Sequence, residues 1–138
     1  MSSFTAEKQP RPKFRNINFP LLLTYRLPLP GVVSIMHRIS GAALFLMLPL
    51  LLWMLDLSLM SEISFERLRG ITANVFFKLL LVLLIWGFLH HLVAGIRYLL
   101  LDLHLGIDLK SARASAMAVY AVSLPLTFIA ALKVFGVL

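Results

Sequence analysis

Three long apolar stretches constrain this chain more than any other feature. They cover residues 32–55, 75–101 and 114–137. As helices rising about 1.5 Å per residue, all three are long enough to cross the roughly 30 Å of hydrocarbon in a bilayer. Because lipid offers the backbone no hydrogen-bond partners, each stretch must be helical rather than an open strand. We therefore expect an all-α integral membrane protein with three transmembrane helices.

The composition agrees with this fold class and excludes others. Hydrophobic residues make up 60% and charged residues 14% of the 138 residues, whereas a typical soluble domain has about 45–50% and roughly 25%. The chain contains no cysteine, which excludes disulfides, thiolate metal sites and an iron–sulfur cluster ligated by this chain. No repeat or low-complexity tract divides the sequence, so we expect a single membrane domain over residues 1–138.

The formal net charge of +7 is concentrated ahead of the first span. Six basic residues lie there or at its start, whereas three acids and two arginines give the linker 56–70 a net charge of −1. The positive-inside rule therefore predicts a cytoplasmic N-terminus, and the basic excess indicates lipid headgroups rather than nucleic acid as the partner. We expect residues 1–31 to form a cytoplasmic tail and interfacial segment. The six basic residues are Lys8, Arg11, Lys13, Arg15, Arg26 and Arg38.

Polar residues inside the first span share one helical face. Ser34, Arg38, Gly41 and Phe45 are spaced i, i+4, i+7 and i+11, and His37 lies beside them. One interpretation is an arginine that extends to the headgroups above a serine bonded to its own helix. The other is a polar pocket that binds carbonyl oxygens or carboxylates at the membrane edge.

The second span carries a similar face with a histidine near the middle of the bilayer. His91, Gly95, Tyr98 and Asp102 share this face, and His91 lies about 16 Å along the helix from Asp102. A haem ligand beside a glycine is one interpretation, and a histidine bonded to a neighbouring helix is the other. The remaining two histidines are expected to lie away from this face. The one next to His91 points about 100° away around the helix and packs against other residues, and the one after Asp102 lies in a solvated loop. They are His90 and His104.

The depths of His37 and His91 predict that they are not two axial ligands of one iron. His37 lies about 8 Å into the first span, and His91 is about twice as deep in the second. We expect a second haem ligand to come from a partner chain. His37 and Arg38 would then lie near the rim of the haem, where cationic groups can pair with its propionates.

Two motifs resemble those of a known family. Residues 34–41, SIMHRISG, resemble the S-I-x-H-R-x-[ST]-G signature of the cytochrome b anchor subunit of succinate dehydrogenase. The upstream Arg11-Pro12 is also typical of that family, and residues 91–97, HLVAGIR, followed by Asp102 resemble its H-x-x-x-G-I-R…D motif. The motifs, their order and the three spans agree over nearly the whole sequence.

The resemblance implies a role for each matched residue. Ser34 and Arg38 match residues that line the ubiquinone site, and His91 matches the axial ligand of haem b. His37 and Arg38 match positions near the haem propionates. The second motif contributes Arg97, Tyr98 and Asp102 as further candidate site residues. Many relatives have histidine where this chain has Tyr98, which can donate a hydrogen bond but cannot become cationic.

The resemblance also implies partners and a place in the cell. A second small anchor subunit would supply the other haem ligand and complete the bundle, and the two anchors would hold a flavoprotein and an iron–sulfur protein on the membrane. Electrons from succinate would reach ubiquinone through those subunits. The absence of a recognisable transit peptide favours a bacterial inner membrane. The alternatives are an anchor of quinol:fumarate reductase and, from another class, a cofactor-free scaffold or transporter subunit.

Overall fold

The computed structural model describes residues 26–137 and has four helices. They are α1 (Leu29–Met60), α2 (Glu62–Thr72), α3 (Val75–Asp102) and α4 (Leu109–Phe135). Helices α1, α3 and α4 are long and apolar enough to cross a membrane. The prediction of an all-α, multi-pass membrane protein with three spans is therefore confirmed. The expectations for the tail before residue 26 lie outside the described residues.

Local sequence signals set the helix starts. Ser61 caps α2, and its side chain and that of Ser64 exchange hydrogen bonds with each other's backbone N–H groups. The Asn74 side chain accepts a hydrogen bond at the start of α3 from a backbone N–H two residues on. Asp108 caps α4 by accepting from the backbone N–H of Ser111 at 3.0 Å. Hydrogen bonding by Ser111, through its hydroxyl and its backbone N–H, lowers the pKa of Asp108.

The first linker is mostly helical. Helix α1 continues to Met60, so Asp56 belongs to that helix, and most of the remaining linker forms α2. Helix α2 buries Leu68 but exposes Ile63 and Phe65, and it packs mainly against α1. The connection between the first two spans is therefore a short helix with one buried face.

Helix α3 is central because it packs against both α1 and α4. The core contains Val33 of α1, Ala94 of α3, and Ala116 and Val119 of α4. Small side chains let membrane helices approach closely. In the most apolar 18-residue window of each helix, buried residues make up 22% in α3, 11% in α4 and 6% in α1. Most of the apolar surface therefore faces outward, to lipid or other proteins.

Candidate functional site: a histidine pair between α1 and α3

The orientation of His91 is fixed by hydrogen bonds to α1. Its Nδ1 lies 3.0 Å from the backbone carbonyl oxygen of His37 and 3.3 Å from Oγ of Ser40. The Ser40 hydroxyl itself donates to the His37 carbonyl at 2.9 Å. A carbonyl oxygen can only accept, so Nδ1 of His91 carries a proton. In the neutral imidazole the other nitrogen, Nε2, then keeps its lone pair.

The ring of His37 lies flat against that of His91. The ring centroids are 4.1 Å apart and the planes differ by 8°. The two residues are therefore at the same level, and the predicted difference in depth is wrong. Its main cause is the helix start, because α1 begins at Leu29 rather than at residue 32. Rings stacked face to face at this distance leave no room for an iron between them.

Each ring packs over a glycine of the opposite helix. A Cβ atom at Gly41 would lie 2.7 Å from Cε1 of His91, and one at Gly95 would lie 3.6 Å from Nε2 of His37. Both glycines follow a histidine by four residues, so α1 and α3 contribute the same H-x-x-x-G element to one contact. We call the five residues of this contact the histidine seam. They are His37, Ser40, Gly41, His91 and Gly95.

Two polar atoms beside the seam are buried without a partner among the described residues. They are Nε2 of His37 and the hydroxyl oxygen of Tyr98. The two rings lie 5.1 Å apart between centroids and are tilted by 50°. A buried polar group without a hydrogen bond is costly. The region is therefore suited to a ligand group that accepts hydrogen bonds.

Ser34 and Arg38 lie at the flank of the α1–α3 contact. Ser34 is half-buried and Arg38 is exposed, whereas Gly41 turns toward His91. Phe45 is 74% exposed. The predicted common face is thus divided between the seam and the outer surface. Neither Ser34 nor Arg38 has a side-chain hydrogen bond within residues 26–137, so both remain available to a ligand or partner chain.

The three candidate residues of the second motif, Arg97, Tyr98 and Asp102, lie in different surroundings. Tyr98 joins the histidine pair, but Arg97 is buried and turns to α4, where its Nε donates to Oγ of Ser115 at 3.0 Å. Asp102 is exposed at the end of α3. Only Tyr98 among the three therefore contacts the seam.

The other histidines agree with the sequence prediction. His90 is fully buried, with Trp86 and Tyr120 rings 5.4 and 5.3 Å from its own. His104 is exposed in the loop after α3. The sequence prediction missed Ser40 as a partner of His91 and Gly41 as its contact surface. The repeated H-x-x-x-G spacing is the signal that could have indicated both.

The two glycines give a matched prediction. Gly41→Ala should displace the His91 ring, because a 2.7 Å contact with Cε1 cannot be accommodated without a shift, and overpacking costs about 1–3 kcal/mol. Gly95→Ala should be tolerated, because its contact with His37 is an ordinary 3.6 Å. Thermal unfolding of the purified proteins measures the difference. Equal destabilisation by both substitutions would contradict the described seam.

The profile of the succinate dehydrogenase/fumarate reductase transmembrane subunit family matches residues 9–130. A relative named succinate dehydrogenase cytochrome b556 subunit, from Paracoccus denitrificans, is 32% identical over 84% of this chain and 89% of its own length. One with the same name from Coxiella burnetii is 37% identical over 74% of this chain and 82% of its own. The chain belongs to the succinate dehydrogenase/fumarate reductase transmembrane subunit family.

Proposed function

We propose that this chain is the cytochrome b membrane-anchor subunit of a succinate dehydrogenase, and that it contributes to a haem b site and to a ubiquinone-reduction site. The observation that carries the proposal is the hydrogen bond from Nδ1 of His91 to the His37 carbonyl. It leaves Nε2 as the free lone pair, and a second nitrogen bonded in this way is common in metal-ligating histidines. The names of the relatives support the same function.

The residues around His91 suit a haem. Residues 26–137 contain no group of three or more His, Asp or Glu side chains that could hold a metal ion. An iron at His91 would therefore need the porphyrin and a partner residue for its other ligands. Nε2 of His37 and the Tyr98 hydroxyl, both without partners, can each donate to a carboxylate such as a propionate. When bound, haem b supplies a one-electron redox centre.

Ser34 and Arg38 are the residues of this chain proposed to bind ubiquinone. The Ser34 hydroxyl would donate a hydrogen bond to a quinone carbonyl oxygen. Arg38 would stabilise the negative charge that develops on the quinone oxygens during reduction. A guanidinium keeps its proton, so the protons must come from water or from the partner subunit. Arg38 is exposed, and we propose that another chain completes this site.

The remaining parts of the enzyme must lie on other chains. This chain has no cysteine to ligate iron–sulfur clusters. We propose an iron–sulfur subunit and a flavoprotein as peripheral partners, and a second small anchor that supplies the other haem ligand. The charge distribution supports a cytoplasmic N-terminus, and we propose a bacterial inner membrane as the location.

The test is affinity purification in mild detergent, followed by an absorption spectrum, subunit identification and activity with succinate and quinone. We expect a b-type haem spectrum, three co-purifying subunits and succinate-dependent quinone reduction. An anchor of quinol:fumarate reductase would show faster fumarate reduction than succinate oxidation. A preparation without haem, flavin or iron would instead indicate a cofactor-free scaffold and would overturn the proposal.

A further inference from the structure

Arg97 is a buried cation on the side of α3 that faces α4. It is 7% exposed, and its guanidinium spans the space between the two helices. Its Nε donates to Oγ of Ser115 at 3.0 Å, and its Nη2 donates to the backbone carbonyl of Ala112 at 3.4 Å. Arg97 therefore links the two helices through neutral acceptors.

Among the described residues the charge of Arg97 meets only neutral groups, namely the two acceptors on α4 and the ring of Tyr98, whose centroid lies 5.2 Å from the guanidinium carbon. Within residues 26–137 no acidic side chain forms an ion pair with it, since the one salt bridge there joins Arg69 to Glu66. A guanidinium has five N–H groups, and the two bonds to α4 use two of them, which leaves three. A buried charge within a membrane is costly unless it is paired. The site therefore suits an anionic ligand.

A groove beside Arg97 provides the space for such a ligand. It lies between α3 and α4 and has a volume of about 400 Å³. Its polar lining residues are Arg97, Ser111 and Ser115. Most of the remaining wall is apolar and includes Val93, Leu100 and Val122. At about 100° per residue, Val93 and Leu100 lie about 160–180° around α3 from His91. The groove is thus separate from the histidine seam.

We propose that this groove binds one acidic phospholipid, with its phosphate paired to Arg97 and an acyl chain along the apolar wall. The charge of Arg97 favours an anion, and the apolar wall favours a hydrocarbon chain. Arg97 is five residues from the end of α3, about 8 Å along the axis. Its extended side chain can therefore reach a lipid phosphate near the membrane surface. The proposal does not depend on the haem or quinone sites.

Native mass spectrometry of the detergent-purified protein, with the subunits it retains, tests the charge contact. After exchange into phosphatidylglycerol, the wild type should keep one bound lipid. In Arg97→Gln the fraction of protein with a bound lipid should fall by at least about tenfold. Arg97→Lys should restore part of the binding because it restores the charge. Arg113→Gln is the control, since Arg113 is an exposed arginine near the start of α4, and it should bind as the wild type does.

A second variant tests the groove without removing Arg97. Ala118 lines the groove and is exposed, so Ala118→Phe should fill it and displace the lipid while the haem spectrum stays unchanged. Retention of phosphatidylglycerol by both Arg97→Gln and Ala118→Phe would overturn the proposal. Equal binding of phosphatidylcholine, full replacement by inorganic phosphate, or a partner helix crosslinked into the groove would also overturn it.

Discussion

Arg38→Leu is expected to lower quinone reduction by about 100- to 1,000-fold, as observed when a single stabilising donor is removed from a developing oxyanion. Ser34→Ala should have a smaller effect in the same assay, because it removes one neutral hydrogen bond. Succinate oxidation with an artificial electron acceptor should change little in either variant, since that acceptor bypasses the membrane site. The ratio of the two activities is the measurement.

Matched controls distinguish this loss from general damage to the anchor. Arg113 is an exposed arginine and Ser58 is a half-buried serine that donates only to its own helix, to Leu55. Arg113→Leu and Ser58→Ala should keep both activities. If both Arg38→Leu and Ser34→Ala reduced quinone at the wild-type rate, neither residue would belong to the quinone site. A parallel fall in both activities would show that the substitutions disrupt assembly instead.

His91→Gly is expected to eliminate the b-type haem absorption, because it removes the nitrogen proposed to bind the iron. The glycine also leaves a space in which free imidazole can bind. Added imidazole should therefore restore part of the haem spectrum in His91→Gly. Absorption and low-temperature electron paramagnetic resonance spectra of the purified protein measure the loss and the recovery.

The other histidines of α3 and its following loop provide the comparison. His104→Gln changes an exposed residue and should leave the spectrum unchanged. His90→Gln changes a fully buried neighbour of His91, so it should lower thermal stability but keep the haem. An unchanged spectrum in His91→Gly would exclude His91 as the ligand. Loss of haem in His90→Gln with retention in His91→Gly would transfer the role to His90.

The sequence predicted the spans well because hydrocarbon thickness and backbone hydrogen bonding allow few alternatives. It also predicted that His90 would point away from His91, because helical periodicity fixes the angle between successive residues. It did not predict the contact between His37 and His91. Depth within one helix depends on where that helix starts, and α1 starts three residues before the apolar stretch used for the prediction.

Periodicity also could not identify the neighbour of each face. Arg97 and Tyr98 are adjacent in sequence, yet Arg97 contacts α4 and Tyr98 contacts His37 of α1. The spacing in α1 groups Gly41 with Arg38 and Phe45, but Gly41 has no side chain and makes room for His91. Which helix a given residue contacts depends on how the three helices are arranged around each other. The periodicity of a single helix does not determine that arrangement.

The histidine seam acts in only one of the two steps by which this chain folds, which are insertion of the helices into the membrane and their association there. Each long helix is apolar enough to enter the bilayer by itself, and association of helices within the membrane is a distinct, later step that depends on close packing and polar contacts. The seam contributes to that later step. Substitutions there should leave the quantity of membrane-inserted protein unchanged and lower the resistance of the helical bundle to unfolding in detergent.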